Sequence, residues 1–291
     1  MRHRPARVRP PGAARQRGPP RRTHPARDQR PRGRRRPRRL RNKDPAPAEP
    51  LTLIYLTGPT GSGKTTTLHS ALHALDHHGR VIHTLEDPVE YEFAAIRQTE
   101  IREKIGLTFA TALRALLRQN PDVLLVGETR DAETAQLAVR AALTGHLVLS
   151  TLQTNDALAA IPRLRDLGVE PFLLAAALWL VAAQRLVRRL CPDCKAPHPD
   201  SPWLAAHYLL PNAQLFRAVG CPACRCRGYR GRLAIHEVIP AEKFLALISA
   251  DAPLAELAAL RAREGHATLW QRGVAAAAAG ETTVEEVARV L

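Results

Sequence analysis

Gly58-Pro59-Thr60-Gly61-Ser62-Gly63-Lys64-Thr65 has the G-x-x-x-x-G-K-T spacing of a loop that wraps a phosphate. Its glycines let the backbone curl, and N–H groups at a helix N-terminus then point at the anion. Lys64 would reach the β- and γ-phosphates, and the Thr65 hydroxyl would hold Mg²⁺. Thr66 carries the segment into the following helix. ATP with Mg²⁺ is the ligand this loop implies.

Three carboxylates follow apolar runs. Glu86 and Asp87 come after Val81 to Leu85, and Glu128 comes after Val123 to Val126 and Gly127. Glu128 occupies the second-acid place of a Walker B strand, where a carboxylate orients the attacking water. Glu86 is the second candidate base. Gly127 stands where many such sites carry a Mg²⁺ aspartate, so the metal falls to Asp87 or Glu128 through water. Further on, Cys191-x-x-Cys194 and Cys221-x-x-Cys224 are two thiolate pairs separated by 26 residues. Two such knuckles complete a closed S₄ set suited to structural Zn²⁺. Cys226 is left over. His73, His77 and His78 have helical i, i+4 spacing and read as a solvated helix face.

Positioning these groups takes strands that alternate with helices, as in a parallel sheet covered by helices. Leu51 to Leu56, Val81 to Leu85, Val123 to Val126, Leu147 to Leu152 and Leu233 to Ile239 read as strands. Thr108 to Gln119 reads as a helix with Phe109, Leu113, Leu116 and Leu117 on one face. Asp131 is placed to cap the next helix, which stops near Gly145, and Asn155 or Asp156 starts another. Phe172 to Ala183, the longest apolar run, reads as a buried helix. Thr283 before Glu286 fits a capping box for the last helix. Ligands of open α/β sheets collect at the carboxyl ends of strands. The phosphate loop, Glu86-Asp87, Glu128 and the segment around Gln153 all fall at such ends.

Charge is split along the chain. Residues 1–45 hold 17 Arg and one Lys against Asp28 and Asp44, while residues 46–291 hold 25 basic and 25 acidic groups. The Arg/Pro-rich leader, taken as 1–47, has too little to bury to offset the cost of ordering and is expected to be disordered. Three readings stand open for it: a polyanion-binding tail, a targeting peptide (disfavoured by its scattered Pro), and GC-rich DNA translated from a wrong start or frame. It has no aromatic residue for stacking on bases. The balanced remainder speaks against a nucleic-acid groove. No run reaches the roughly 18 apolar residues of a membrane span, and no signal peptide is evident, so a cytoplasmic location is expected. In a reducing compartment five cysteines point to metal rather than disulfides.

Gly58 to Thr65, Thr84-Leu-Glu-Asp-Pro-Val-Glu-Tyr91, Leu117 to Asp131, and Thr144-Gly-His146 with Thr151-Leu-Gln-Thr-Asn-Asp156 resemble the four boxes of the type II secretion and type IV pilus assembly ATPases. The resemblance runs from about residue 50 to the C-terminus. It implies a RecA-like P-loop NTPase core (48–186), an inserted Cys₄ zinc element (187–231) and a closing strand with C-terminal helices (232–291). It also implies a hexameric motor acting on a secretion or pilus platform, peripheral at the inner membrane through platform and anchoring proteins. Glu86 then lies in the aspartate box, Glu128 is the Walker B glutamate, and His146 is the first histidine of the histidine box. The residues flanking the cysteines favour assembly or secretion over retraction.

Gln153, Thr129 and Asn120 depart from that pattern, where histidine, an apolar residue and aspartate are usual. Pro162 falls within the expected helix after Asn155, at a cost of about 3 kcal/mol if interior. These departures leave a second reading, a divergent remnant that binds ATP and drives nothing; the third is a nucleic-acid binder acting through its leader. By resemblance a separate α/β domain precedes such a motor and supplies arginines to the neighbouring subunit. The region before Leu51 has arginines without elements to place them, so slow hydrolysis is expected of this chain alone.

Overall fold

Short apolar runs in this chain are too brief to bury themselves, and they pair into one sheet that helices cover. The structure, a computed structural model, describes residues 52–75, 79–210 and 213–291. The Arg-rich leader, Leu51, His77 and His78 lie outside the described residues. The core comprises β1 (Thr52–Thr57), α1 (Lys64–Ala74), β2 (Ile82–Glu86), β3 (Arg97–Glu100), α2 (Phe109–Leu116), β4 (Val123–Val126), α3 (Ala132–Leu143), β5 (Leu147–Leu152), α4 (Ala160–Asp166), α5 (Pro171–Ala177) and β6 (Leu178–Leu190). A cysteine-bearing segment follows, with β7 (Ala196–Pro197), α6 (Ser201–His207) and β8 (Phe216–Arg217). β9 (Tyr229–Pro240), α7 (Leu245–Ser249), α8 (Leu254–Arg263), α9 (Leu269–Ala278) and α10 (Val284–Val290) complete the chain.

The main sheet has the order β3-β2-β4-β5-β1-β6-β9. Every neighbouring pair is parallel except β6 with β9. Alternation across β1 sends Leu53 and Tyr55 to one face, under α2, α3 and α5, and Leu56 to the other, under α1. The inner strands β4 and β5 bury both faces, which is why they read as continuous apolar runs.

Local chemistry sets several element ends, the expected Asp131 cap among them. The Thr108 hydroxyl accepts from Thr111 N and caps α2, and Asp131 Oδ1 accepts from Thr134 N at 2.8 Å to cap α3. Asn120 adopts the left-handed conformation (φ 47°), which asparagine tolerates, after the turn that ends α2.

Several expectations need correction. The apolar run from Phe172 is not one helix: α5 ends at Ala177 and the chain continues as β6, in parallel register with β1. Burial on both faces beside β1 overrides the helical preference of its alanines, and a short apolar run does not distinguish the two states. Asp156 caps a turn rather than the helix itself, accepting from Ala159 N at 2.8 Å. Helix α4 then begins at Ala160, so Pro162 lies in its first turn, where the missing N–H is not needed. The expected cost of an interior proline does not arise. At the last helix, Thr283 accepts from Glu286 N, but the Glu286 carboxylate turns to Arg188 and Arg289, so only half of the capping box forms. Residues 187 and 231 lie within β6 and β9, whose ends lead into the cysteine-bearing segment.

Candidate functional site

β1 delivers the phosphate loop to the carboxyl end of the sheet, beside a cavity of about 820 Å³. Thr60, Gly61, Gly63, Lys64, Thr65 and Thr66 line it. Gly58, Pro59 and Ser62 form the back of the loop: Gly58 N donates to Leu152 O, and Ser62 is buried. Gly63 precedes α1 with φ 85°, and a Cβ there would lie 2.9 Å from Gln184 Nε2, so conformation and space both require glycine. The Lys64 ammonium donates to the Gly58 and Pro59 carbonyls at 2.7 and 3.1 Å, folded back over its own loop. Its pKa lies below the usual lysine value because it is partly buried; Glu128 pulls it up and Arg185 pushes it down.

The three expected carboxylates all reach this cavity. Glu128 Oε1 accepts from Gln153 Nε2 at 2.6 Å, and its Oε2 pairs with Arg130 at 2.6 Å. The glutamine that stands in place of a histidine therefore orients the carboxylate. Gly127 admits no aspartate: a Cβ there would sit 2.8 Å from the Leu85 carbonyl. Glu86, 3% exposed, has both oxygens engaged. Oε1 accepts from Thr84 Oγ1 (2.5 Å) and Gln98 Nε2 (2.9 Å), and Oε2 lies 3.0 Å from His69 Nε2. Burial pushes its pKa up, but the bonds from His69, Gln98 and Thr84 outweigh this and hold it below the usual carboxylate value. A carboxylate so held is a weak proton acceptor. Asp87 is exposed on the rim.

His146 does not join this cluster. It precedes β5, whose other end leads to Gln153, so a strand of about 20 Å separates it from the cavity. Its Nδ1–H donates to the Ala141 carbonyl at 2.8 Å and it finishes α3. The two ends of one parallel strand cannot serve one site within a chain.

Sequence reasoning missed the residues that brace the site. Thr57 pairs with Ala183, so Gln184 and Arg185 emerge from β6 level with the phosphate loop. Arg185 bonds the Asn155 carbonyl at 2.8 Å. His69 stacks on Phe93 (centroids 5.1 Å apart) behind Glu86. Thr129, at an expected apolar position, bonds Ser150 Oγ at 2.8 Å and the Tyr55 hydroxyl at 3.5 Å within the core. The available signal was the polar pair Gln184-Arg185 closing an apolar run.

The two cysteine pairs meet at the ends of β6 and β9. All four sulfurs lie within 4.8 Å of one another. Cys191 and Cys221 are 3.9 Å apart, while Cys194–Cys224 and Cys221–Cys224 are each 3.8 Å apart. A tetrahedron with Zn–S bonds of about 2.3 Å has edges of about 3.8 Å, so the donor set fits the ion. Backbone N–H groups of Gly220, Cys221 and Gly228 point at Cys194 or Cys224 sulfur at 3.1–3.3 Å, as thiolates require. Cys226 stands outside this cluster.

The description Type II/IV secretion system protein belongs to a family model that matches residues 38–289. The chain belongs to this family. Among its relatives, type II secretion system protein E of Aeromonas hydrophila is 50% identical over 248 residues, covering 83% of this chain and 49% of that protein. The type IV pilus assembly ATPase PilB of Myxococcus xanthus is 49% identical over 245 residues, covering 82% and 43%. The chain thus spans about half the length of these relatives. The solved pilus retraction motor PilT with bound ADP superposes with a TM-score of 0.62 at 31% identity, over 82% of this chain and 60% of that one. The Legionella pneumophila ATPase DotB shares the fold (TM-score 0.60, 23% identity, 84% and 60% covered). The expected RecA-like P-loop architecture is therefore present. Among the described residues, no helix is long and apolar enough to cross a membrane.

Proposed function

We propose that this chain is an ATP-hydrolysing motor domain that, as a hexamer, powers pseudopilus or pilus assembly. The observation that carries the reading is the joint placement of Lys64, Thr65 and an oriented Glu128 on one cavity. Backbone N–H groups of Gly61, Gly63, Lys64 and Thr65 would hold the β- and γ-phosphates, with the Lys64 side chain swinging from the Gly58 carbonyl to the transferring group. Thr65, helped by Asp87, would hold Mg²⁺, which when bound neutralises developing charge on the phosphates. Glu128 positions the attacking water and takes its proton; Gln153 and Arg130 fix the carboxylate until then. Glu86 shapes the site through His69, Gln98 and Thr84. Cys191, Cys194, Cys221 and Cys224 hold a structural Zn²⁺ that ties the ends of β6 and β9. By its resemblance to secretion and pilus assembly ATPases, the motor would dock at an inner-membrane platform from the cytoplasmic side. Lys64→Ala should abolish measurable ATP hydrolysis with the fold retained; hydrolysis at the wild-type rate would remove the site assignment.

A further inference from the structure

A phosphate-binding loop works only if its N–H groups face inward, and its carbonyls must then find partners behind it. The Ser62 carbonyl has such a partner: Gln184 Nε2 donates to it at 2.6 Å. The amide cannot be turned around, because a carbonyl only accepts, so the NH₂ end must face Ser62. Its other end, Oε1, accepts from Thr67 Oγ1 at 2.7 Å and from His236 Nε2 at 2.9 Å. His236 therefore carries its proton on Nε2. Gln184 is 1% exposed and stands opposite His236 in the β6–β9 register. One buried amide thus joins the loop, the first turn of α1 and β9. Gly63 packs directly against it.

We propose that Gln184 is the positioning residue that keeps the phosphate loop in its anion-binding shape, and that His236 positions Gln184. The inference rests on the nucleotide-site reading and adds a specific division of labour. These two residues set affinity for nucleotides that carry a β-phosphate, whereas Glu128 and Lys64 serve the hydrolytic step. Without the amide, the Ser62–Gly63 peptide is free to rotate, and ordering it must be supplied by the ligand. A glutamate in its place would turn a carboxylate toward the Ser62 carbonyl and bring negative charge close to the phosphates.

The test is calorimetric titration of the full chain with ADP, a non-hydrolysable ATP analogue and adenosine, beside steady-state turnover and thermal unfolding. Gln184→Ala should weaken ADP and the analogue by about tenfold, the equivalent of one lost hydrogen bond. Gln184→Glu should weaken them by about a hundredfold, since it adds repulsion to that loss. Adenosine binding should not change, and KM for ATP should rise more than kcat falls. His236→Ala should weaken ADP about threefold to tenfold, with His236→Gln, which keeps a donor near the Nε2 position, restoring most of it. Those histidine variants carry the test should Gln184 variants not fold. Unchanged ADP affinity in folded Gln184→Ala overturns the proposal, as does a fall in kcat at unchanged affinity, or His236→Ala without effect. Absence of ADP binding by the wild type would instead overturn the nucleotide site on which the proposal stands.

Discussion

Glu286→Gln should destabilise the domain by about 2–3 kcal/mol, although the residue is far from the phosphate loop in sequence and does not line its cavity. Glu286 lies in the first turn of α10 and is 1% exposed. Its carboxylate accepts from Arg188 N (2.9 Å), Arg188 Nε (2.9 Å) and Nη2 (2.6 Å), and Arg289 Nε (2.8 Å) and Nη2 (2.7 Å). Burial raises its pKa, but the bonds from Arg289 and Arg188 overcome this and hold it at about 2, against an ordinary value of 4.5. That gap corresponds to roughly 3.4 kcal/mol in favour of the folded, ionised form. Both arginine side chains are about half exposed (49% and 60%), so water partly compensates them once the charge is gone. This trims the expected loss to the stated range. The sign follows from a depressed pKa: the stabilisation is complete above about 4.5 and is lost as pH falls toward about 2. Roughly 2 kcal/mol of it should disappear between pH 7 and pH 3 in the wild type and not in the variant. Urea unfolding of both proteins at the two pH values measures this directly. A variant within about 0.5 kcal/mol of wild type at pH 7, or an equal pH response in both, would show that the Glu286 charge does not stabilise the fold.

Other consequences follow from the same geometry. Freshly purified, reduced protein should carry about one Zn²⁺ per chain. Cys221→Ser should release it and destabilise the segment between β6 and β9, with a smaller effect on nucleotide binding; metal analysis that finds no zinc in the wild type contradicts the site. Thr129→Val should cost about 1–3 kcal/mol because it leaves the buried Tyr55 hydroxyl without its partner. Adding Tyr55→Phe should then restore part of the loss. A double-mutant cycle by denaturation decides this, and strict additivity would show that the two hydroxyls are not coupled.

Much of this architecture is legible in the residues because local chemistry and the tertiary structure agree. Val123–Val126 and Leu147–Leu152 emerge as strands with the expected ends, since both faces are buried and turns bound them. Thr108 and Asp131 cap the helices they precede. The four cysteines converge because paired thiol knuckles have little other use for their spacing. β6 was hidden because its sequence suits a buried helix equally well, and its pairing with β1 decides between them only in three dimensions. The braces Gln184, His236, His69 and Gln98 carry no sequence motif; each acts through a partner between 12 and 122 residues away. His146 shows the converse, a motif position that the strand holds at the wrong end of the sheet for its own chain's cavity.

In the proposed mechanism the attacking water depends on Glu128 alone. Pre-steady-state measurement of ATP binding and single-turnover hydrolysis by Glu128→Gln separates binding from chemistry. The variant should bind ATP with affinity close to wild type and hydrolyse it about 10²–10⁴-fold more slowly, the contribution of a positioned general base. Hydrolysis at the wild-type rate would contradict the Glu128 assignment and pass the role to Glu86, whose carboxylate would then have to break free of His69, Gln98 and Thr84.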